Sequence, residues 1–573
     1  MSLKPPQEEK WNQTERWILD KLTIKEIADL NLCPFGKTIR SEFLVYILHI
    51  KKFKHRCIHC PNIICEKVCH GISECTYEIE SIHIIHAEIE NPFDSRNCDI
   101  ELHHNFSIEN SHFKANVNLT DIKGTAAICF KGTTFDYNVE ITSVKIDSLD
   151  FENTQFLKKI DLSETNIGTL TITGSACSEK ISLNDSIIGE NLTISNSNFK
   201  KAIIISSTRI RGNLQFREIT NANSINLNQT TVDGCICLGN ITCSGPASIN
   251  GLNLLGDMEL KGPIFEGSFE MISSVINNNL TFIDTHFHDE TVLYNTIVKG
   301  TFCINSLSGS DKFCGGASSK LSLRNTFVDT LKIPDSLDIW PPDNSQISRN
   351  LELDGFIYSR FFFIQNKCKD EKKITADNLD LLTDWLNLDK NLSPQPYHQL
   401  ATVLKNMGSF LFASKILFAY KDRKLNLAWE NWDIFNGIIM IIEKYSIGFG
   451  YGWRFIVTPI VITIMLTLIG YFVINGSVTF KNFDITQETD SIDEIDYSFK
   501  TFLPLIKCCD QRCEPCPQSL ASLSTIQKIY FHFHSFAGFV LTILIIIGLI
   551  RNYLLVTSKI EFRCYRENIT YRA

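Results

Sequence analysis

Cysteine and histidine crowd two short stretches of this chain. In the first, Cys57, Cys60, Cys65, Cys69 and Cys75 alternate with His55, His59 and His70. Thiolate and imidazole groups in that number suffice for one tetrahedral zinc, with Cys57, Cys60, Cys65 and Cys69 as candidate ligands. Only four residues separate Cys60 from Cys65, fewer than in the usual finger or ribbon, so plain thiols are the competing reading. In the second stretch, Cys508, Cys509, Cys513 and Cys516 fall within nine residues. Disulfides among these four are the expectation if the segment faces an oxidising compartment; metal binding and free thiols are alternatives. Cys513-Glu514-Pro515-Cys516 has redox spacing but lacks a βαβ frame around it. Two weaker constellations remain. His532 and His534 open an apolar run, where they serve either a proton or metal relay or simply keep one end wet. His286 and His288 alternate with Asp284 and Asp289, as in a solvated turn.

Nothing else in the chain suggests a catalyst or a cofactor. No Gly-x-Gly-x-x-Gly follows a strand, and neither a Walker loop nor a Gly-x-Ser-x-Gly elbow occurs. Gly448-Phe449-Gly450-Tyr451-Gly452 precedes an apolar run instead. The net charge of −9 and a pI near 5.9 exclude the basic face of a nucleic-acid binder. With 573 residues, 44% hydrophobic and 21% charged, the chain can build several cores. Met1 to Lys10 carries no apolar stretch, so no signal peptide is expected.

The elements that would position these groups are written in a 22-residue beat. Leu170, Leu192, Leu214, Ile236, Met258, Leu280 and Phe302 recur at that interval. Ile172, Ile194, Phe216, Leu238, Leu260, Phe282 and Ile304 follow each by two. A fixed period of this kind marks a solenoid whose coils bury their apolar sides by stacking. The beat extends back through Leu149, Ile128 and Phe106, and forward through Leu331 and then Leu351 with Leu353. Two short strands and an apolar corner per coil suit a parallel β-helix over 82–362, with turn residues such as Asn277, Asn278 and Asn279 stacking in ladders. Helical spacing marks 1–50, with Trp11 to Leu22 and Thr38 to Ile50 as helices ahead of the cysteine-rich 51–81. A helix over Asn378 to Trp385 and a hairpin turning at Gly408 fill 375–427.

Two runs have membrane character. Residues 455–474 carry no charge and would cover about 30 Å as a helix. Residues 531–550 form the second candidate, and Tyr451, Trp453, Tyr471 and Tyr553 flank the pair as aromatic anchors. Ahead of them, 428–454 reads as an interfacial helix. Lys421, Arg423, Lys424, Lys444 and Arg454 precede the first run, and Arg551, Lys559, Arg563, Arg566 and Arg572 follow the second. The loop 475–530 has five basic and eight acidic residues. The positive-inside rule therefore places both termini, including the tail 551–573, in the cytoplasm and the cysteine-containing loop outside.

Five motifs together resemble a bacterial membrane protein family with pentapeptide-repeat-like β-helices, whose members are often labelled membrane-associated oxidoreductase. They are Thr38-Ile39-Arg40-Ser41-Glu42-Phe43-Leu44, then Leu351 to Tyr358, then Pro394-Gln395-Pro396-Tyr397-His398-Gln399-Leu400-Ala401, then Tyr451-Gly452-Trp453-Arg454, and His534 with Gly538 ahead of Gly548-Leu549-Ile550-Arg551. The resemblance implies a right-handed parallel β-helix with a helical N-terminal cap, a helical hairpin, two C-terminal transmembrane helices and a plasma-membrane location. It brings no reaction and no site residues, and the cysteine-rich stretches depart from its pattern. The expected function is a non-enzymatic, membrane-anchored scaffold that binds a protein partner on its β-helix faces. A thiol- or metal-dependent oxidoreductase and an oligomerising membrane effector are the alternatives.

Overall fold

The computed structural model describes residues 11–23, 25–49, 52–55, 75–96, 98, 100–305, 320–334, 351–365, 370–372, 379–389, 391–450, 454–474, 495, 498 and 524–557. Its chain divides into two compact units, 1–396 and 397–573.

The first unit is a parallel β-solenoid. The apolar ladder is its spine: Leu170 pairs with Leu192, Leu192 with Leu214, Leu214 with Ile236, and so on to Phe302. Each coil has four sides rather than two strands and a corner. In one coil these are Ile187–Ile188, the two halves of Leu192–Phe199, and Ala202–Ile204. Three sides join in a 30-stranded sheet, and the fourth stacks into a 12-stranded one. At about 4.8 Å per coil, twelve stacked strands make a rod of roughly 55 Å.

Two devices at the corners explain why the coil closes. The first is a left-handed residue every eleven positions from Asp185 through Asn196, Ser207, Glu218, Gln229 and Asn240 to Asn295. Glycine takes that role at Gly251 and Gly262. Left-handed backbone costs an L-residue about 1–2 kcal/mol, which is why short polar residues and glycine collect there. The second device follows one position later. Buried hydroxyls at Thr208, Thr230, Ser274 and Thr296 donate to the carbonyls of Leu183, Ile205, Ile249 and Met271 at 2.8, 2.7, 2.8 and 2.6 Å. Each tie reaches 25 residues back, so it binds one coil to the one beneath and satisfies a carbonyl that the bend would otherwise strand. The true repeat is therefore a half-coil of eleven residues.

Between corners the core is apolar. Phe113, Phe135 and Phe156 stack in a column with centroids 4.8 and 5.2 Å apart, in line with ordinary aromatic packing. The expected amide ladders are present as well. Asn191 Oδ1 accepts from the Asn213 amide, Asn213 Oδ1 from that of Cys235, and Asn279 Oδ1 from that of Thr301, at 2.8, 2.8 and 2.9 Å. Coils approach so closely at one corner that a Cβ on Gly256 would lie 2.3 Å from the Gly234 carbonyl oxygen.

Three expectations need correction. Leu351 does not continue the spine; it pairs with Leu321 on the fourth side, while Phe361 continues from Leu331. The residues added at 306–319 and 335–350 stretch the interval from 22 to 29 and then 30, so counting forward by the beat lands on the wrong side. Thr38 does not begin a helix. Thr38–Ile39 is a strand parallel to Glu88–Ile89, and Ala28–Asp29 lies parallel to Ile84–Ile85, so the solenoid begins ahead of residue 82.

Helices close both ends of this unit. At one end are α1 (Gln13–Thr23) and α2 (Ser41–His49). Asn12 and Glu15 form a reciprocal capping box, each accepting from the other's amide at 2.8 Å. Glu15 is fully buried and also accepts from the Arg40 amide and guanidinium, at 3.0 Å from the amide, 3.0 Å from Nε and 2.6 Å from the nearer terminal nitrogen. At the other end is α3 (Leu379–Asn387), with Leu382, Trp385 and Leu386 buried. The motifs at 38–44 and 351–358 are thus the two sealed ends of the rod.

His104 is buried against the backbone of Ile47 in α2, and burial pushes its imidazole down to about 4. A base with a depressed folded pKa destabilises as pH falls, because below about 6.5 the unfolded chain takes up a proton that the folded chain refuses until about 4. Acidifying from pH 7 to 4 should therefore weaken this end by up to about 3 kcal/mol. Hydrogen exchange in 28–49 at the two pH values checks this, and His104→Phe should flatten the dependence.

The second unit begins within α4 (Pro394–Asn406), which forms the expected hairpin with α5 (Phe410–Glu430), with Gly408 left-handed at φ 84°. Then follow α6 (Ile434–Ile447), α7 (Arg454–Ile474) and α8 (Thr525–Thr557). Among the described residues, no helix is long and apolar enough to cross a membrane.

Candidate functional site

The zinc candidates Cys57, Cys60, Cys65 and Cys69 lie outside the described residues, as do Cys508, Cys509, Cys513 and Cys516. What is described is the base of the first segment. Lys52–His55 pairs antiparallel with Cys75–Glu78, and His55 sits opposite Cys75. The cysteine-rich stretch thus leaves and returns through one hairpin ladder. Among the described residues, no group of three His, Cys, Asp or Glu could hold a metal ion.

Two of the rod's cysteines are placed for packing. Cys177 and Cys243 are buried, which pushes both thiols up to about 11. Burial also raises Cys98 and Cys129. Thiols shifted in that direction are poor nucleophiles, since the thiolate is the reactive form. Cys235 is exposed and free, and Cys303 is disulfide-bonded. His286 belongs to a two-residue strand beside Ile264, and Asp284 is a left-handed corner, so this group serves the coil geometry. Charges on the outer faces largely cancel along the columns. Lys320 sits between Glu290 and Glu352 at 3.2 and 2.9 Å, and Lys131 meets Glu152 at 3.1 Å.

A group of buried polar side chains lies between α7 and α8. His534, expected to have one wet end, is fully buried, while His532 is exposed. Its Nε2 lies 3.0 Å from the Ser498 carbonyl and 3.4 Å from the Ser498 hydroxyl. Nδ1 lies 3.3 Å from the Tyr530 hydroxyl. The Ser498 hydroxyl donates to the Thr467 carbonyl at 3.0 Å, and Tyr530 can donate to that of Leu466 at 3.2 Å. Gln527 Nε2 donates to the Val473 carbonyl at 2.8 Å. Gly470 makes room, since a Cβ there would lie 2.0 Å from the Ser498 hydroxyl.

Serine, histidine and tyrosine in sequence contact invite comparison with a nucleophile–base pair, and the geometry argues against it. The shorter Nε2 contact is to a carbonyl, so Nε2 carries the proton and donates it there. It cannot then accept a proton from the Ser498 hydroxyl, which is already committed to Thr467. The arrangement instead staples α8 and Ser498 to backbone carbonyls of α7. Ser498 carried no signal in the sequence, as one serine in a polar loop. Tyr530 stands one helical turn before His534, and that i, i+4 spacing was the available clue.

Comparison with known protein families, with characterised proteins and with solved structures finds no match.

Proposed function

We propose that the chain is a membrane-anchored β-helix scaffold, with α7 and α8 crossing the bilayer and the rod offering its faces to a protein partner in the cytoplasm. The observation that carries the reading is an inverted distribution of polarity. On α7, Val461, Ile464, Met465, Leu468 and Phe472 are exposed; on α8, Ile526, Ile529, Phe533, Phe536 and Ile546 are. The polar side chains of Ser498 and His534 turn inward. In water such surfaces would associate or aggregate, whereas in hydrocarbon an apolar exterior with satisfied polar groups inside is the stable arrangement. No described helix meets the length and apolarity of a span, and the crossing rests instead on the sequence, which is uncharged throughout 455–474 and 535–550.

Two features bear on which side the rod occupies. Basic residues flanking the helix pair favour the cytoplasm. A disulfide at Cys303 favours an oxidising compartment. The scaffold reading takes the first, because Cys235 and Cys237 stand free on adjacent outward positions of the same rod. A membrane-impermeant maleimide tests it. Cys235 should be labelled in inverted vesicles and not in intact cells, with the signal lost in Cys235→Ser. Labelling of Cys235 in intact cells would overturn the orientation.

A further inference from the structure

We propose that α6 lies in the plane of the bilayer interface, held there by an aromatic-rimmed apolar face and not by charge. This rests on the membrane reading above and adds a third lipid contact to it. The helix is sharply bounded. Asp433 caps its start, accepting from the Asn436 amide at 3.3 Å, and left-handed Gly448 ends it. Ile434, Ile438 and Ile442 recur every fourth residue, with Phe435 and Ile439 beside them, so the exposed apolar residues form one stripe. Trp432 before the helix is 83% exposed, Phe435 75% and Tyr445 near its end 71%. Trp432 reaches that position through a left-handed backbone, φ 59°.

Four surroundings are conceivable for this stripe. Water is disfavoured, because five large apolar side chains exposed side by side, Ile434, Phe435, Ile438, Ile439 and Ile442, are what soluble chains normally cover. A full span is excluded by length, since 14 residues rise only about 21 Å. A second copy would cover the stripe, but it gives no reason for Trp and Tyr to bracket it. The bilayer interface does give one, because rings with an apolar body and a polar tip settle at headgroup depth. Continuity points the same way, since only positions 448–453 separate α6 from α7 in the sequence.

Charge adds little here. Lys444, the one cation of α6, is engaged by Asp422 of α5. Most in-plane helices depend on basic residues and anionic lipid; this one is built to be held by apolar burial. Its contact should therefore be the same on zwitterionic and anionic membranes and should survive high salt.

The test uses the full chain in phosphatidylcholine vesicles, with and without phosphatidylglycerol, and reads Trp432 as the fluorescence difference from Trp432→Phe. The expected Trp432 emission is blue-shifted. It is quenched more by lipids brominated near the headgroup than by lipids brominated deep in the acyl chain, and it is unchanged by salt. Unquenched, red-shifted emission from a chain that resists alkaline extraction would overturn the in-plane helix and leave the anchor standing. Stronger quenching by deep bromine, or loss of quenching in high salt, would equally overturn it. Release of the whole chain by the alkaline wash would remove the anchor and this inference together.

Discussion

Glu15→Ala is expected to open the first coils of the rod and to cost about 3 kcal/mol. The carboxylate is fully buried and serves two elements at once, through the Asn12 amide at the start of α1 and through the amide and guanidinium of Arg40 at the start of α2. Its removal leaves several donors without an acceptor and breaks the capping box. The Arg40 side chain is partly exposed and packs over the Trp11 ring, with the guanidinium 5.6 Å from the ring centroid. Water therefore recovers part of the loss, which keeps the figure at the low end for a broken buried pair. Arg40→Lys should fall between wild type and Glu15→Ala, because an ammonium cannot reproduce the fork of contacts. Because a solenoid is stabilised by neighbour contacts, damage should begin at this end and fade along the rod. Hydrogen exchange resolves that gradient: amides near 28–39 and 81–89 should lose protection first, and amides near 236–260 last. Uniform loss along the rod would contradict the account.

Trp385→Ala is expected to cost more, about 3–5 kcal/mol, as usual for a buried tryptophan. Trp385 is the largest of the fully buried side chains and lies 6.0 Å from Phe361 on the last coil. The segment that carries it also closes the coil's backbone. Asp389 Oδ2 accepts from the Leu353 amide, and Gln395 Oε1 accepts from the Gly355 amide, both at 3.0 Å. Losing the tryptophan leaves a cavity under the last coil and loosens the segment that covers an otherwise open strand edge. A denaturant melt should show the loss, and concentration-dependent association should accompany it. Trp385→Phe fills most of the volume and should cost much less. A melt of Trp385→Ala within about 0.5 kcal/mol of wild type would show that α3 is not the seal.

What the sequence made legible follows the physics of each feature. The spine was plain because inward residues of one coil side must be apolar in every turn, as Leu192, Leu214 and Ile236 show. The half-coil of eleven was hidden, because its corner position accepts Asn, Ser, Glu, Gln or Gly and so carries no single letter. The buried hydroxyls of Thr208 and Thr230 carry no signal of their own in the sequence, because they stand outside the apolar beat. Leu351 falls on the fourth side and not on the spine, because the added residues break the count without breaking the texture. Two-residue strands such as Thr38–Ile39 are too short to show any period. The motif around Arg40 was visible, but its partner Glu15 stands 25 residues earlier and nothing local links them. At the candidate site, His534 was singled out for its position in an apolar run, yet its burial depends on Ser498, 36 residues away. The cysteine segments are conspicuous by composition alone, and their candidate ligands and disulfide cysteines, Cys57 to Cys69 and Cys508 to Cys516, lie outside the described residues.

Alkaline carbonate extraction decides whether the chain is anchored in the bilayer. Membranes from cells making the full chain should be compared with those from cells making a chain that stops before Arg454. The full chain should stay with the lipid pellet, and the shortened chain should enter the supernatant or bind only weakly through α6. Recovery of the full chain in the supernatant, folded and undegraded, would contradict the account.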